Sequence, residues 1–281
     1  MLKPKLPDWN KSLLLAGTFL VLSGLFHLPI HLLDSRDWES PIGWRKPILF
    51  GISTGVTLVS LAWVVSRTLE KQAIAARLLA SLAVVEVMII TVQTWRKVPA
   101  HFNDGTAFDQ FLANSIDGML VLITLTIFYL TFLSFKQKFS ADELDYGFSM
   151  RWGMAFLALS CVFGFGVAFY GNAMVEGRQN PEIIAPHGVP KFVHGIALHA
   201  LQIFPTWAFV MRKIGLNLTN RLKSLRLATF TFLFITLYAL RQTLNGLSRF
   251  APDFGGYTFL LSAFASGTAA LLYAVPQIHR K

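Results

Sequence analysis

The sequence predicts an all-α, polytopic membrane helix bundle of about eight transmembrane helices, with both termini cytoplasmic. Three observations carry that expectation. Charged residues make up only 14% of the 281, whereas apolar residues make up 54% and the mean hydropathy is +0.52; an ordinary soluble domain is nearer a quarter charged. The 25 Phe lie in long apolar runs and do not alternate with polar residues, the pattern of helices and not of barrel strands. Lys and Arg fall in short clusters between those runs, which is how membrane topology is encoded.

A spanning helix needs about 20 mostly apolar residues. The first candidate runs from Leu13 to Leu33 behind Lys3, Lys5 and Lys11; it is too long for a signal-peptide core and lacks a small-residue cleavage site, so it reads as a retained helix. The second, Pro47 to Ser66, carries Gly51 and Gly55, a small-residue pair suited to close helix approach. Ala73 to Gln93 and Phe111 to Leu133 follow, with Thr106 and Asp109 as a capping box for a short helix leading into the latter. Trp152 to Tyr170 is the fifth. The sixth, Phe192 to Met211, contains Pro205, which frees the carbonyl of Leu201 and predicts a kink there. Leu227 to Leu247 and Tyr257 to Val275 complete the set, the last with a small-residue face of Ser262, Ala263, Ser266 and Gly267. The short connections predict one transmembrane domain over residues 1–281.

With the amino terminus inside, sixteen of the 25 basic residues fall on the cytoplasmic side; the other nine are roughly cancelled by nearby Asp and Glu. An even helix number and two cytoplasmic termini agree with each other. The expected location is a bacterial inner membrane. The net charge of +10 is therefore a topology signal, and no nucleic-acid partner is expected. The lone Cys161 excludes an internal disulfide and reads as a packing residue.

Six of the seven histidines, all but His279, fall toward the opposite, outer side. His27 and His31, four apart, share a helical face and can chelate a metal. His194 and His199, five apart, cannot share one face of an unkinked helix, whereas His199 and Gln202 can. Glu86 lies near the middle of its span, where an ionisable group is costly and marks function; its expected partner is Arg241 or a histidine. Gln93, Arg96, Gln202 and Gln242 add polar groups at similar ends of their helices, alongside interface-type residues such as Trp44, Arg45 and Trp95.

These residues predict a site near the outer face that binds haem b or a transition metal such as zinc or copper through His27, His31, His194 and His199. Gln93, Arg96 and Gln202 would contact the cofactor, with Glu86 and Arg241 as acid, base or charge stabiliser. No Cys-x-x-Cys-His is present, so the haem would not be covalently attached. Two alternatives are an outer-facing hydrolase or transferase acting on a lipid or small molecule, and a small-solute transporter or sensor. Neither Gly-x-Ser-x-Gly nor His-Glu-x-x-His is present to support the first, and no internal repeat supports the second.

Overall fold

A computed structural model describes residues 8–68, 72–177 and 179–275. The expected charges at Lys3, Lys5, Lys71, Arg178, Arg280 and Lys281, and His279, lie outside them. The chain is all-helical, 79% helix, with no strand among the described residues and eight segments long and apolar enough to cross a membrane. It divides into two compact units, Met1–Leu130 and Thr131–Lys281.

The first unit contains α1 (Asp8–Leu33), α2 (Arg45–Thr68), α3 (Ala73–Trp95) and most of α4 (Ala107–Lys136). A chain apolar on all sides buries itself by shape, because lipid offers no hydrophobic preference for one helix over another. On α1 the inward stripe is Leu13, Gly17, Leu20, Gly24 and His27, at alternating spacings of four and three. Gly17 and Gly24 meet Gly55 and Gly51 of α2 so closely that a Cβ on Gly17 would stand 2.6 Å from the carbonyl oxygen of Gly55, and one on Gly51 2.8 Å from the Cα of Gly24. The Gly51/Gly55 pair does what its spacing predicts, against a matching pair on α1. The opposite face of α1, with Leu15, Leu22 and Phe26, is exposed.

The capping box is present: the Thr106 hydroxyl accepts from the Asp109 backbone N–H at 3.1 Å and donates to its carboxylate at 2.7 Å. No separate short helix follows it. α4 runs unbroken for 30 residues from Ala107, because its first turns carry neither Pro nor a further cap to stop them.

The second unit holds the end of α4, then α5 (Leu144–Glu176), α6 (Pro190–Leu198), α7 (Ala200–Lys213), α8 (Leu218–Leu244) and α9 (Phe254–Ala274). Asn217 and Asp253 cap α8 and α9 by accepting the backbone N–H groups of Asn220 and Gly256. Phe156, Phe204 and Phe232 meet edge to face at the centre, with centroids 5.1 to 6.1 Å apart. The Trp207 indole donates to Ser224, whose hydroxyl donates to the Ala270 carbonyl, tying α7, α8 and α9 together. Small residues close the α8–α9 seam as expected: Ala263 is buried and the Ser266 hydroxyl lies 3.0 Å from that of Thr231.

The expected sixth span is two helices, and the break is at His199, two residues before the carbonyl freed by Pro205. Pro205 has no N–H to give the Leu201 carbonyl, and the irregularity lies in the turn before it. There the His199 backbone N–H donates to the Ile196 carbonyl, a three-residue bond, and the His199 carbonyl accepts from the N–H groups of both Gln202 and Ile203, so the turn tightens while keeping one α-helical bond.

Candidate functional site

Apart from Glu86 and Arg241, the candidate site residues fall into two groups, one in each unit. In the first, α1, the turn before α2, and α3 bring together His27, Trp44 and Trp95. His27 donates from Nδ1 to the Ser23 carbonyl at 2.7 Å, which leaves Nε2 to accept the Trp95 indole N–H at 3.2 Å. Its ring stacks on Trp44, centroids 5.6 Å apart, and Trp44 meets Trp95 edge-on at 4.9 Å. Both nitrogens of His27 are thus committed within the chain. Using His27 with His31 as a chelating pair requires breaking the Trp95 bond. His31 packs beside Trp38, and its Nδ1 is buried with no partner among the described residues.

Arg36 ties this centre shut. Its guanidinium bonds the Asp34 carboxylate, donates to the carbonyls of Ile42 and Thr94 at 3.0 and 2.8 Å, and lies 4.1 Å over the Trp44 ring. The hydrogen bond from Arg36 holds the Asp34 carboxyl down at about 2. Beside it, Gln93 and Arg96 converge on Asp109: the Gln93 amide and the Arg96 guanidinium donate to one carboxylate oxygen at 3.0 and 2.6 Å. Gln93, which is fully buried, and Arg96 therefore serve the α3–α4 junction. Arg45 is paired with Glu39.

Glu86 sits apart from all of these. It has no hydrogen bond or ion pair among the described residues, and the expected pairing with Arg241 is replaced by another: Arg241 bonds Asp253, at 2.9 Å from Nε. The sequence offers a reason. Asp253 is both the cap of α9 and the carboxylate nearest in the chain to Arg241, and Gly255 leaves the room, since a Cβ there would stand 2.6 Å from the guanidinium. Arg241 first, and the Gly256 N–H second, hold the Asp253 carboxyl down at about 2. A depressed carboxyl stabilises the fold above the ordinary carboxylate range, and that stabilisation is lost as pH falls from about 4 through about 2. Asp253→Asn is expected to flatten that acid limb in thermal unfolding of the detergent-solubilised protein, and an unchanged limb would contradict it.

In the second unit, α5 and α6 build a different histidine environment. His194 donates from Nδ1 to the Ser160 carbonyl at 2.8 Å, while the Ser160 hydroxyl donates back to the His194 carbonyl at 2.9 Å. Gly164, one turn beyond Ser160, lets the ring lie against α5: a Cβ there would stand 3.3 Å from Nδ1. Gly195, next along α6, has open space where its side chain would be. Nε2 of His194 has no partner among the described residues. His199, at the helix break, repeats the arrangement: Nδ1 lies 2.8 Å from the Gln202 amide oxygen, the expected three-residue contact. His27 and His31 fall in the first unit, and His194 and His199 in the second.

Sequence reasoning missed Arg36 and Ser160. Arg36 was legible only as a loop charge. Ser160 with Gly164, a small polar and a small apolar residue one turn apart in an otherwise bulky span, was the available signal. Among the described residues, no group of three or more His, Cys, Asp or Glu is arranged to hold a metal ion. No family model, curated protein or solved structure matches the chain.

Proposed function

We propose that this chain is an integral membrane redox protein that binds haem through His194, on the side of the bilayer facing away from both cytoplasmic termini. One observation carries the reading. The Nδ1–H of His194 is fixed on a backbone carbonyl, which orients the ring and sets the tautomer whose lone pair projects from Nε2. Ligating histidines are held in this way in metal proteins. Gly164 lets the ring lie directly against α5, and Gly195, the next residue along α6, has open space where its side chain would be. His199, its Nδ1 held by Gln202, is a second imidazole of the same kind but on a different face of the helix.

Haem fits this donor set better than zinc or copper does. A closed zinc site draws about four protein ligands, and a catalytic one about three, whereas haem iron requires one or two. Bound there, haem would supply one-electron chemistry. The chain's own part is to orient the imidazole, to tune its basicity through the Ser160 carbonyl, and to keep water from the inner side of the ring with the α5 backbone. The expected location remains a bacterial inner membrane.

The test is the visible spectrum and metal content of the full chain purified in mild detergent from haem-replete cells. A Soret band is expected, abolished by His194→Ala and retained in His199→Ala. A colourless protein, or a Soret band indifferent to His194→Ala, would overturn the assignment; stoichiometric zinc or copper in its place would move the site to other ligands.

A further inference from the structure

Glu86 is the fourteenth of the 23 residues of α3, so it lies roughly 13 Å from the nearer end of that helix at 1.5 Å per residue. The residues before and after it on the same face are Leu82, Ala83, Ile89 and Ile90. Three of them, Leu82, Ile89 and Ile90, belong to one apolar cluster with Phe50, Ala100, Ile116 and Met119. The carboxyl therefore stands at the edge of a wholly apolar packing surface in the middle of a membrane span.

Among the described residues no hydrogen bond or ion pair compensates it. The ionisable groups with described side chains on the other helices of the first unit are Lys11, His27 and His31 on α1, Arg45 and Lys46 on α2, and Asp109, Asp117 and Tyr129 on α4. His27 is held by Ser23 and Trp95, Arg45 by Glu39 and Asp109 by Arg96. None of the eight bonds or pairs with Glu86. Asp34, Glu39, Asp145, Glu182 and Asp253, by contrast, each have an Arg or Lys partner. A fixed, unpaired carboxylate at this depth is among the most unfavourable groups a bilayer protein can carry, and a leucine would fill the position as well for packing alone.

We propose that Glu86 is a proton-binding site inside the bilayer, one that takes up and releases a proton during the protein's working cycle. The step is an acid–base exchange with water: the carboxylic O–H bond breaks, the proton passes to a water molecule, and the carboxylate remains. Gln93, seven residues on and about 20° off the same line, is the next polar side chain on that face of α3, with Ile89 and Ile90 between, and its amide is bonded to Asp109 at the start of α4. The inference does not depend on haem or on any histidine, and its test reads no haem signal.

The probe is a hydrophobic carbodiimide, which adds to carboxyls only in their protonated form, applied to the full chain in lipid nanodiscs and read by peptide mass spectrometry. Glu86 should be the dominant adduct. Labelling should fall about tenfold per pH unit above its titration and recover when the pH is lowered again. Glu86→Gln should lose that adduct while the protein remains folded and monodisperse. An infrared band of a protonated carboxylic acid, lost in Glu86→Gln and diminished reversibly at high pH, reads the same proton without needing reagent access. Labelling and band that are both unchanged from about pH 5 to about pH 9 would show a permanently neutral acid and overturn the proposal. Absence of both at every pH would overturn it as well.

Discussion

Gly17→Leu should prevent the amino-terminal unit from folding. The α1–α2 contact is set by backbone against backbone, and a single methyl at position 17 would already lie 2.6 Å from the Gly55 carbonyl oxygen and 2.9 Å from a Val59 methyl. Neither neighbour can retreat. The carbonyl belongs to the helix itself, and Val59 sits one turn further along the same seam. Overpacking of a closed core costs about 1 to 3 kcal/mol per modest insertion, and a leucine side chain here must separate two helices along their length. The expected readout is loss of monodisperse protein in detergent and rapid proteolysis. Gly55→Leu should do the same from the other side. Gly118→Ala, where nothing lies within 4 Å of the new Cβ, should be neutral or stabilising by up to about 1 kcal/mol, since alanine is the better helix former. Equal behaviour of Gly17→Leu and Gly118→Ala would refute the tight-contact account.

Asp145→Ala should be the most damaging change in the carboxy-terminal unit. Asp145 is fully buried in the first turn of α5 and is shared by two guanidinium groups, Arg212 from the end of α7 and Arg221 from the start of α8. Arg212 also stacks 3.9 Å over the Tyr146 ring. Removing the carboxylate leaves two neighbouring cations, largely withdrawn from water, with no counter-charge; breaking such a buried pair typically costs about 3 to 5 kcal/mol. Thermal unfolding followed by tryptophan fluorescence should show a fall in midpoint, partly restored when Arg221→Met is combined with it. A midpoint unmoved by Asp145→Ala would mean that the two arginines are satisfied elsewhere.

The spans were legible because bilayer thickness sets a length that a hydropathy run must meet, and that constraint needs no knowledge of neighbours. All eight runs correspond to helical segments. Their ends were less legible. α5 starts at Leu144, eight residues before the apolar run suggests, because Asp145 and Arg151 are neutralised by partners and carbonyls that only the folded unit supplies. Pairings followed the same logic. His199 with Gln202, and Thr106 with Asp109, are local and could be read from spacing. Arg241 with Asp253 crosses a turn and competed in the reading with Glu86, a membrane-depth carboxylate that looked as though it required a cation. The saturation of His27 by an indole 68 residues away has no sequence signature at all.

The length of α5 has a consequence of its own. Its 33 residues make a rod of about 50 Å at 1.5 Å per residue, roughly 20 Å more than the hydrocarbon layer can cover. Even with a tilt of about 20°, a turn or more must emerge from the oily slab. Arg151, seven residues in from the start of the rod, spends its guanidinium on the Ser134 and Gln137 carbonyls, so this end of α5 is braced against the end of the preceding helix.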